Sequence, residues 1–398
     1  MKHLVQKNIY IYIYILNQGF SGIRTLKLKI TTIMDPKTRK LGGSLKVPFV
    51  QELAKENPSS VPTRYIRPDK DQYPTISNGG SFHQIPVVDM QRLFSSAEEA
   101  SDLELQKLHS AFCIQKLHST KYNFFFLLIN HEVSSSLVEK LKSEVQDFFN
   151  LPMAEKNKYG QEPGDVEGYG QAFVKSEEQK LDWADMLYMI TQPEDLRKPH
   201  LFPKLPLPLR ESLQEYSIEL KSLALKILNL IAKALGMKHE EIEVLLEEGL
   251  QSMRLTYHPP CPQPELVTGL CHHSDPVSLT ILLQINDVQC LQIKENEAWV
   301  PVLPLPNAFI VNVGDILEII TNGAYKSVEH RAIVNSQKER LSIATFTFPK
   351  LDGDLGPAPS LITPENPAKF SRVLMVDYLK SLYSRELDGK SYIDTMRI

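Results

Sequence analysis

The sequence predicts an α+β fold in which helices support a β-rich core, built as an antiparallel sandwich or a jelly roll. Between residues 252 and 349, short β-rich runs follow one another closely and are separated by turn residues such as PLPN and NVGD. Longer runs with apolar residues at helical spacing precede this part. The chain also has 27 prolines against 18 glycines, and many prolines end short apolar runs. This pattern favours strands and turns over a helical bundle.

The elements before the β-rich part are predicted from local patterns. In order, they are a short helix around VPFVQELAKE, a strand in QIPVVDM (84–90), a helix over 96–120, a strand in NFFFLLINH (123–131), a helix from SSSLVEK onward, and helices over about 208–235 and 238–249. The serines before LVEK suit a helix N-cap. The 208–235 helix is expected to present Leu213, Ile218 and Leu220 on one face. A further helix is predicted over about 369–384.

These elements suggest a division of the chain into six parts. They are a non-structural extension (1–33), a proline-rich segment (34–83), an N-terminal region (84–200), a helical support (201–247), the β-rich core (248–350) and a C-terminal helix and tail (351–398). The extension is basic, has no acidic residue and contains the strand-like tract IYIYIYIL, which fits neither a transit peptide nor a signal peptide well. A targeting segment remains the alternative.

Composition argues against several functional classes. The net charge is −4, so no global basic field attracts nucleic acid or anionic lipid. No run approaches the roughly 18 apolar residues of a membrane span. The four cysteines show no CxxC spacing, which argues against a zinc ribbon or redox pair and favours reduced thiols. We therefore expect a cytoplasmic monomer that acts on a small molecule, with no nucleic-acid or membrane partner.

The stretch GLCHHSDPVSLTILLQ (269–284) contains the first candidate site residues. In a strand, side chains two residues apart point to the same face, so His273 and Asp275 project together. His272 points the other way and is expected to be an outward or packing histidine. A His-x-Asp pair alone is weak evidence because it recurs by chance.

A second histidine strengthens this hypothesis. His330 lies in the run YKSVEHRAIV and completes a set of two histidines and one carboxylate. Such a set forms a facial triad with open positions suited to non-haem Fe(II). A bidentate 2-oxo acid and O2 could fill the open positions.

The run RLSIATFTF could anchor the remote carboxylate of such an acid. Arg340 and Ser342 share one face of this predicted strand with Ala344, Phe346 and Phe348. An arginine and a hydroxyl among apolar neighbours form a plausible carboxylate clamp. A salt bridge at the edge of the sheet is the alternative.

With these motifs in place, the chain resembles the plant 2-oxoglutarate/Fe(II)-dependent dioxygenases, and most of all the senescence-related oxygenases and the benzylisoquinoline alkaloid (thebaine and codeine) O-demethylases. The phrases LDWADMLYM, PPCPQPEL, LPNAFIVNVGDILEIITNG and LDGKSYIDTMRI also match, and the similarity runs from about Lys40 to Ile398. The resemblance implies a double-stranded β-helix core with flanking helices. It further implies that His273, Asp275 and His330 bind iron, that Arg340 and Ser342 bind 2-oxoglutarate, and that Phe346 contacts the substrate.

Three departures from the family pattern stand out. Where the family reads N-Y-Y-P, this chain has T-Y-H-P, so His258 replaces a tyrosine that also touches 2-oxoglutarate. His258 could substitute as a donor and could titrate near neutral pH, or it could simply pack there. The stretch 112–123 is longer than in relatives. Glu132 replaces the glycine of N-H-G, where a positive φ would be strained.

The resemblance implies an enzyme that uses Fe(II), 2-oxoglutarate and O2, with ascorbate keeping the iron reduced. The expected reaction is O-demethylation or hydroxylation of a small aromatic plant metabolite, coupled to decarboxylation of 2-oxoglutarate to succinate and CO2. Two alternatives stay open: a non-oxidative condensing enzyme of the norcoclaurine synthase-like type, and an inactive binding homologue.

Overall fold

A computed structural model describes residues 42–56, 59–67, 85–112, 125–246, 248–295 and 297–398. The expectations for residues 1–33, and for the stretch 112–123 beyond Phe112 itself, lie outside these residues. No helix in the described part of the chain is both long and apolar enough to cross a lipid bilayer.

The helices of the described residues lie mainly before and after the β-rich part. They are α1 (Val50–Lys55), α2 (Met90–Leu93), α3 (Glu98–Phe112), α4 (Ser135–Asn150), α5 (Met153–Lys156), α6 (Leu207–Leu235), α7 (His239–Leu246), α8 (Asp315–Ile320), α9 (Met375–Leu382) and α10 (Ser391–Asp394). The predicted N-cap of α4 is confirmed, because the Ser134 hydroxyl accepts a hydrogen bond from the Leu137 amide. The long helix α6 ends at Gly236, which has the left-handed conformation that glycine adopts readily.

The strands cluster between residues 250 and 348. All described strands are β1 (Val87–Asp89), β2 (Phe125–Ile129), β3 (Gly168–Gly170), β4 (Asp185–Gln192), β5 (Leu250–His258), β6 (Leu270–His273), β7 (Leu279–Gln284), β8 (Leu291–Glu295), β9 (Ala298–Pro301), β10 (Phe309–Val313), β11 (His330–Ala332), β12 (Arg340–Phe348), β13 (Asp354–Leu355) and β14 (Val373–Leu374).

Two sheets form the core. The larger has eight strands in the order β1-β2-β10-β7-β12-β5-β4-β3, and the smaller has four in the order β6-β11-β8-β9. All pairs are antiparallel except β1 with β2. Apolar side chains from both sheets, such as Phe125, Ile293 and Ile310, pack together in one buried cluster. The expected α+β fold with a jelly-roll core is therefore confirmed.

The long helix α6 buries Leu213, Leu220 and Leu223 in the main apolar core, together with Met253 and Leu255 of β5. The prediction that Ile218 shares this face is wrong, since its side chain is 55% exposed. Ile218 lies five residues after Leu213, which at about 100° per residue turns it away from the buried face. Helix α9 is also shorter than predicted, because β14 occupies the residues just before it.

Alternation along β5 and β12 positions the site. Met253 and Leu255 face the helices, so the even-numbered residues of β5 face the inside of the barrel. On β12, Arg340 and Ser342 lie directly opposite His258 and Thr256 of β5. The interior of the barrel is therefore polar at this end of the two strands.

Candidate active site

The two histidines and the aspartate predicted as a metal-binding set lie together. His330 on β11 is the direct cross-strand partner of His273 on β6, and their ring centroids are 4.3 Å apart. Asp275 lies just beyond the end of β6, with its Oδ1 atom 3.4 Å from His273 Nε2 and 3.6 Å from His330 Nε2. All three residues are buried, and their potential ligand atoms lie within 4.8 Å of one another. This arrangement suits a single metal ion with open positions.

Backbone contacts orient both imidazoles. His273 Nδ1 lies 2.8 Å from the Cys271 carbonyl, and His330 Nδ1 lies 3.2 Å from the Val328 carbonyl. A carbonyl only accepts, so each Nδ1 carries the proton and each Nε2 is left with a free lone pair. Both lone pairs lie on the side of Asp275. The rings are thus fixed in the tautomer that a metal requires.

Asp275 is held through its other oxygen. Oδ2 accepts hydrogen bonds from the Thr280 hydroxyl at 2.7 Å and from the Asn312 amide at 2.8 Å. Thr280 and Asn312 are cross-strand partners on β7 and β10, so the sheet fixes their positions together. These contacts leave Oδ1 directed at the two histidines. Sequence reasoning missed both residues, although a buried asparagine inside the apolar strand FIVNV was a usable signal.

Electrostatics keep this carboxylate ionised. Burial alone would raise the pKa of Asp275, but His330, His273 and the Asn312 hydrogen bond hold it well below its usual range. Burial lowers the pKa of His330 to about 4, with the charge of Asp275 opposing this shift. Both groups therefore have the protonation state of metal ligands at neutral pH.

The neighbouring histidine lies outside the site, as predicted. His272 is exposed, and its Nδ1 lies 3.2 Å from Glu329. Its backbone helps to attach the C-terminal tail, because the Gly389 amide donates to the His272 carbonyl and the Gly389 carbonyl accepts from the Ser274 amide. The tail is further attached by Lys390, which donates to the buried Glu318 at 2.8 Å.

The predicted carboxylate clamp faces a cavity inside the barrel, which we call the barrel cavity. Its volume is about 40 Å³, and Arg340, Ser342, His258 and His330 all line it. Arg340 donates to the Ser342 hydroxyl at 3.2 Å, while its buried Nε has no hydrogen-bond partner among the described residues. The proposed salt bridge at the sheet edge is not seen there, since Arg340 is 3% exposed and no described carboxylate pairs with it.

His258 is also buried, and its ring lies beside the backbone of Arg340 and Gly269. Neither ring nitrogen makes a hydrogen bond of normal distance and angle within the described chain. Burial and the nearby Arg340 and Arg254 hold the pKa of His258 well below its usual range. The expectation that it titrates near neutral pH is therefore wrong, because a buried imidazole beside two guanidinium groups stays neutral.

Two further cavities lie on the substrate side of the site, and one of them borders His273. The inner cavity, about 50 Å³, is bounded by His273 and Asp275 together with Phe346, Phe173 and Tyr383. An outer cavity of about 210 Å³ shares Phe173 with it. The structure thus brings Phe346 to the wall of an aromatic cavity beside the histidines, as its strand face predicted.

Comparison with known proteins now identifies the family. Residues 249–349 match the model of the 2OG-Fe(II) oxygenase superfamily, and residues 85–205 match that of the N-terminal region of non-haem dioxygenases in morphine synthesis. The chain belongs to the 2OG-Fe(II) oxygenase superfamily. It is an oxidoreductase, and the family uses Fe(II), 2-oxoglutarate and O2.

Individual relatives cover most of this oxygenase. It is 52% identical to oxoglutarate-dependent flavonoid 7-O-demethylase 1 of Ocimum basilicum, over 91% of this chain and 94% of that protein. It is 51% identical to codeine O-demethylase of Papaver somniferum, over 90% of this chain and 98% of that one. A crystal structure of JOX2 in complex with 2OG, Fe and JA has a TM-score of 0.78 and 33% identity, covering 88% of this chain and 98% of that chain.

The residues present fit the groups that the family uses. Two Nε2 lone pairs and one free carboxylate oxygen converge, as a metal ion requires. Arg340 Nε and the protonated ring nitrogen of His258 are buried donors without a hydrogen bond of normal geometry among the described residues, and a ligand carboxylate in the barrel cavity would accept from them.

Proposed function

We propose that this oxygenase oxidises a small aromatic plant metabolite by O-demethylation or hydroxylation. The observation that carries the proposal is the inner cavity, where aromatic side chains border His273 and Asp275 directly. Flat apolar ligands bury well against such walls. The demethylases from basil and poppy among the relatives support the same substrate class.

The protein's own residues have distinct roles in this proposal. His273, Asp275 and His330 hold Fe(II), while Arg340, Ser342 and His258 bind the remote carboxylate of 2-oxoglutarate. When bound, iron and 2-oxoglutarate together supply the oxidising power that removes a hydrogen atom from the substrate. Phe346 packs against the aromatic ring and directs one C–H bond towards the metal side of the cavity. The apolar walls limit the access of water.

The overall reaction balances. One oxygen atom of O2 enters the substrate C–H bond and the other enters succinate, as 2-oxoglutarate loses CO2. When the oxidised carbon is an O-methyl group, the product is a hemiacetal that breaks its carbon–oxygen bond, releasing formaldehyde and a free hydroxyl. When the oxidised carbon belongs to the ring system, the product is an alcohol or a phenol.

Three further points belong to the proposal. Ascorbate keeps the iron reduced between turnovers. The protein acts as a monomer. It works in the cytoplasm, consistent with the buried free thiols of Cys261, Cys271 and Cys290.

Product masses test the proposed reaction. Purified protein is incubated with Fe(II), ascorbate, 2-oxoglutarate and a plant metabolite extract. A product lighter by one CH2 group together with formaldehyde means O-demethylation, and a product heavier by one oxygen atom means hydroxylation. Succinate formed with no change in any metabolite would contradict the proposed substrate class.

A further inference from the structure

One basic side chain lies where all three cavities meet. Arg254 on β5 lines the outer, the inner and the barrel cavity, and no other residue of the described chain lines all three. It shares the interior face of β5 with Thr256 and His258, and its guanidinium carbon lies 5.7 Å from the centre of the Phe346 ring. The residue is therefore beside the aromatic wall that contacts the substrate in our proposal.

The guanidinium of Arg254 has no hydrogen-bond partner among the described residues. Its Nε is buried, and no side chain or carbonyl in the described residues accepts a hydrogen bond from the group. Asp275 and Asp182 attract it only at longer range. Arg254 as a whole is half-buried, but arginine stays protonated in proteins, and its buried Nε–H without an acceptor is costly. An acceptor brought by a ligand would remove that cost.

The other charges around the outer and inner cavities are already neutralised or lie at the rim. Arg67 pairs with Asp182 at 2.9 Å, and the same carboxylate oxygen accepts from the Cys271 amide at 3.0 Å. Lys180 and Glu386 are exposed and have opposite charges. Asp275 belongs to the proposed metal site. Among the described residues that line the outer and inner cavities, Arg254 is thus the one deep positive charge without a hydrogen-bonded carboxylate.

We infer that Arg254 binds an anionic or acceptor oxygen of the substrate, and that this pocket favours acidic aromatic metabolites, such as phenols and carboxylic acids, over protonated amines. This inference rests on the proposed function and names the substrate class for the same site. A guanidinium presents several N–H donors in one plane, so a bound carboxylate or phenolate also fixes the orientation of the ring beside Phe346. Charge and aromatic packing together then select which C–H bond faces the metal side.

Three matched ligands test this inference. They are methoxynaphthalenes that differ only in the substituent remote from the methoxy group, which is a carboxylic acid, a primary alcohol or a primary amine. Titration calorimetry measures their dissociation constants with protein holding Mn(II) and 2-oxoglutarate. We expect the wild type to bind the acid at least about tenfold more tightly than the amine, as a charge-assisted hydrogen bond would give.

Variants identify the group responsible. Arg254→Gln should weaken binding of the acid about tenfold or more and should not weaken binding of the amine. The affinity of Arg254→Lys for the acid should lie between those of the wild type and Arg254→Gln, because lysine keeps the charge but loses the planar fork. Arg254→Lys also replaces the glutamine variant if that one does not fold. Lys180→Gln, which removes a positive charge from the rim of the outer cavity, should leave the order of affinities unchanged.

Other outcomes would overturn the inference. Equal affinities of the wild type for the acid and the amine would do so. An equal loss of affinity for all three ligands in Arg254→Gln would also do so. A loss of 2-oxoglutarate affinity in place of acid affinity would assign Arg254 to the cosubstrate. The proposed function is judged separately by the product masses that the wild type forms with Fe(II) and 2-oxoglutarate, which do not depend on the order of ligand affinities.

Discussion

His330 lies directly opposite His273 across the β6–β11 strand pair, and each ring has its Nδ1 bound to a backbone carbonyl two residues earlier in the chain. The same short backbone interaction therefore sets both imidazoles, and Asp275 is set separately by the larger sheet. A metal site built in this way depends on the mutual position of two sheets. Residues that fix this position should affect metal binding without touching the metal.

Asn312 provides the first prediction. Asn312→Leu removes the amide that holds Asp275 Oδ2, so the carboxylate loses one of its two fixed contacts. We expect Mn(II) affinity, measured by calorimetry, to fall about 10- to 100-fold. Ser278→Ala is the control, because this buried hydroxyl near Asp275 in the chain has no partner among the described residues. Unchanged affinity in Asn312→Leu would mean that the metal site does not need this contact.

Arg340 provides the second prediction. Arg340→Lys keeps a positive charge in the barrel cavity but cannot reproduce a bidentate fork on a carboxylate. We expect the dissociation constant of 2-oxoglutarate to rise about tenfold or more, measured with Mn(II) bound. Ser342→Ala should show a smaller increase, since Ser342 contacts Arg340 as well as the cavity. If Arg340→Lys bound 2-oxoglutarate normally, the clamp would have to lie elsewhere.

His258 gives a prediction about pH. Burial and two nearby guanidinium groups depress its pKa in the folded protein, while in the unfolded chain it titrates at about 6.5. As pH falls below about 6.5, the unfolded state binds a proton that the folded state does not, so stability is lost. Compared with His258→Tyr, the wild type should lose up to about 1.4 kcal/mol of unfolding free energy per pH unit below that point.

Urea unfolding of both proteins between about pH 5 and 8 measures this difference. A constant difference over the whole range would show that His258 is not held neutral. Because His258 stays neutral in the folded protein, the affinity for 2-oxoglutarate should not change with pH above about 6.5.

Glu132 carries backbone strain that the sequence predicted. Its φ is 65°, in the left-handed region, where a side chain costs about 1–2 kcal/mol. Its ion pair with Lys226 is exposed and contributes little. Glu132→Gly should therefore raise the free energy of unfolding by about 0.5–1 kcal/mol after the entropy cost of glycine. Glu132→Ala loses the same ion pair but keeps the Cβ atom, and it should not be stabilised. Equal effects of the two substitutions would remove the strain argument.

Local patterns were enough to predict much of the site. The i, i+2 rule placed Arg340, Ser342 and Phe346 on one strand face and separated His272 from His273. These predictions held because a strand's side-chain alternation is local. The ligand set of a facial triad joined His330 to His273 and Asp275, the run of short strands predicted the jelly-roll core, and the family resemblance agreed with both.

The sequence could not reveal contacts that depend on strand register and burial. Asn312 and Thr280 meet Asp275 only because β10 pairs with β7. Arg254 is ninety-two residues before Phe346, and its lack of a hydrogen-bond partner depends on how the neighbouring carboxylates are placed. His258 was expected to titrate because its burial beside two arginines was unknown. Ile218 was misplaced because five residues of helix turn a side chain about 140° away from that of Leu213.

The central claim is that His273, Asp275 and His330 form the iron site of a 2-oxoglutarate-dependent oxygenase. Conversion of 2-oxoglutarate to succinate with Fe(II), O2 and ascorbate measures it most directly, in wild type and in two adjacent histidine variants. We predict that the wild type forms succinate only with Fe(II), that His273→Ala forms none above the protein-free background while remaining folded, and that His272→Ala stays close to the wild type. Succinate formation by folded His273→Ala at the wild-type rate would contradict the account.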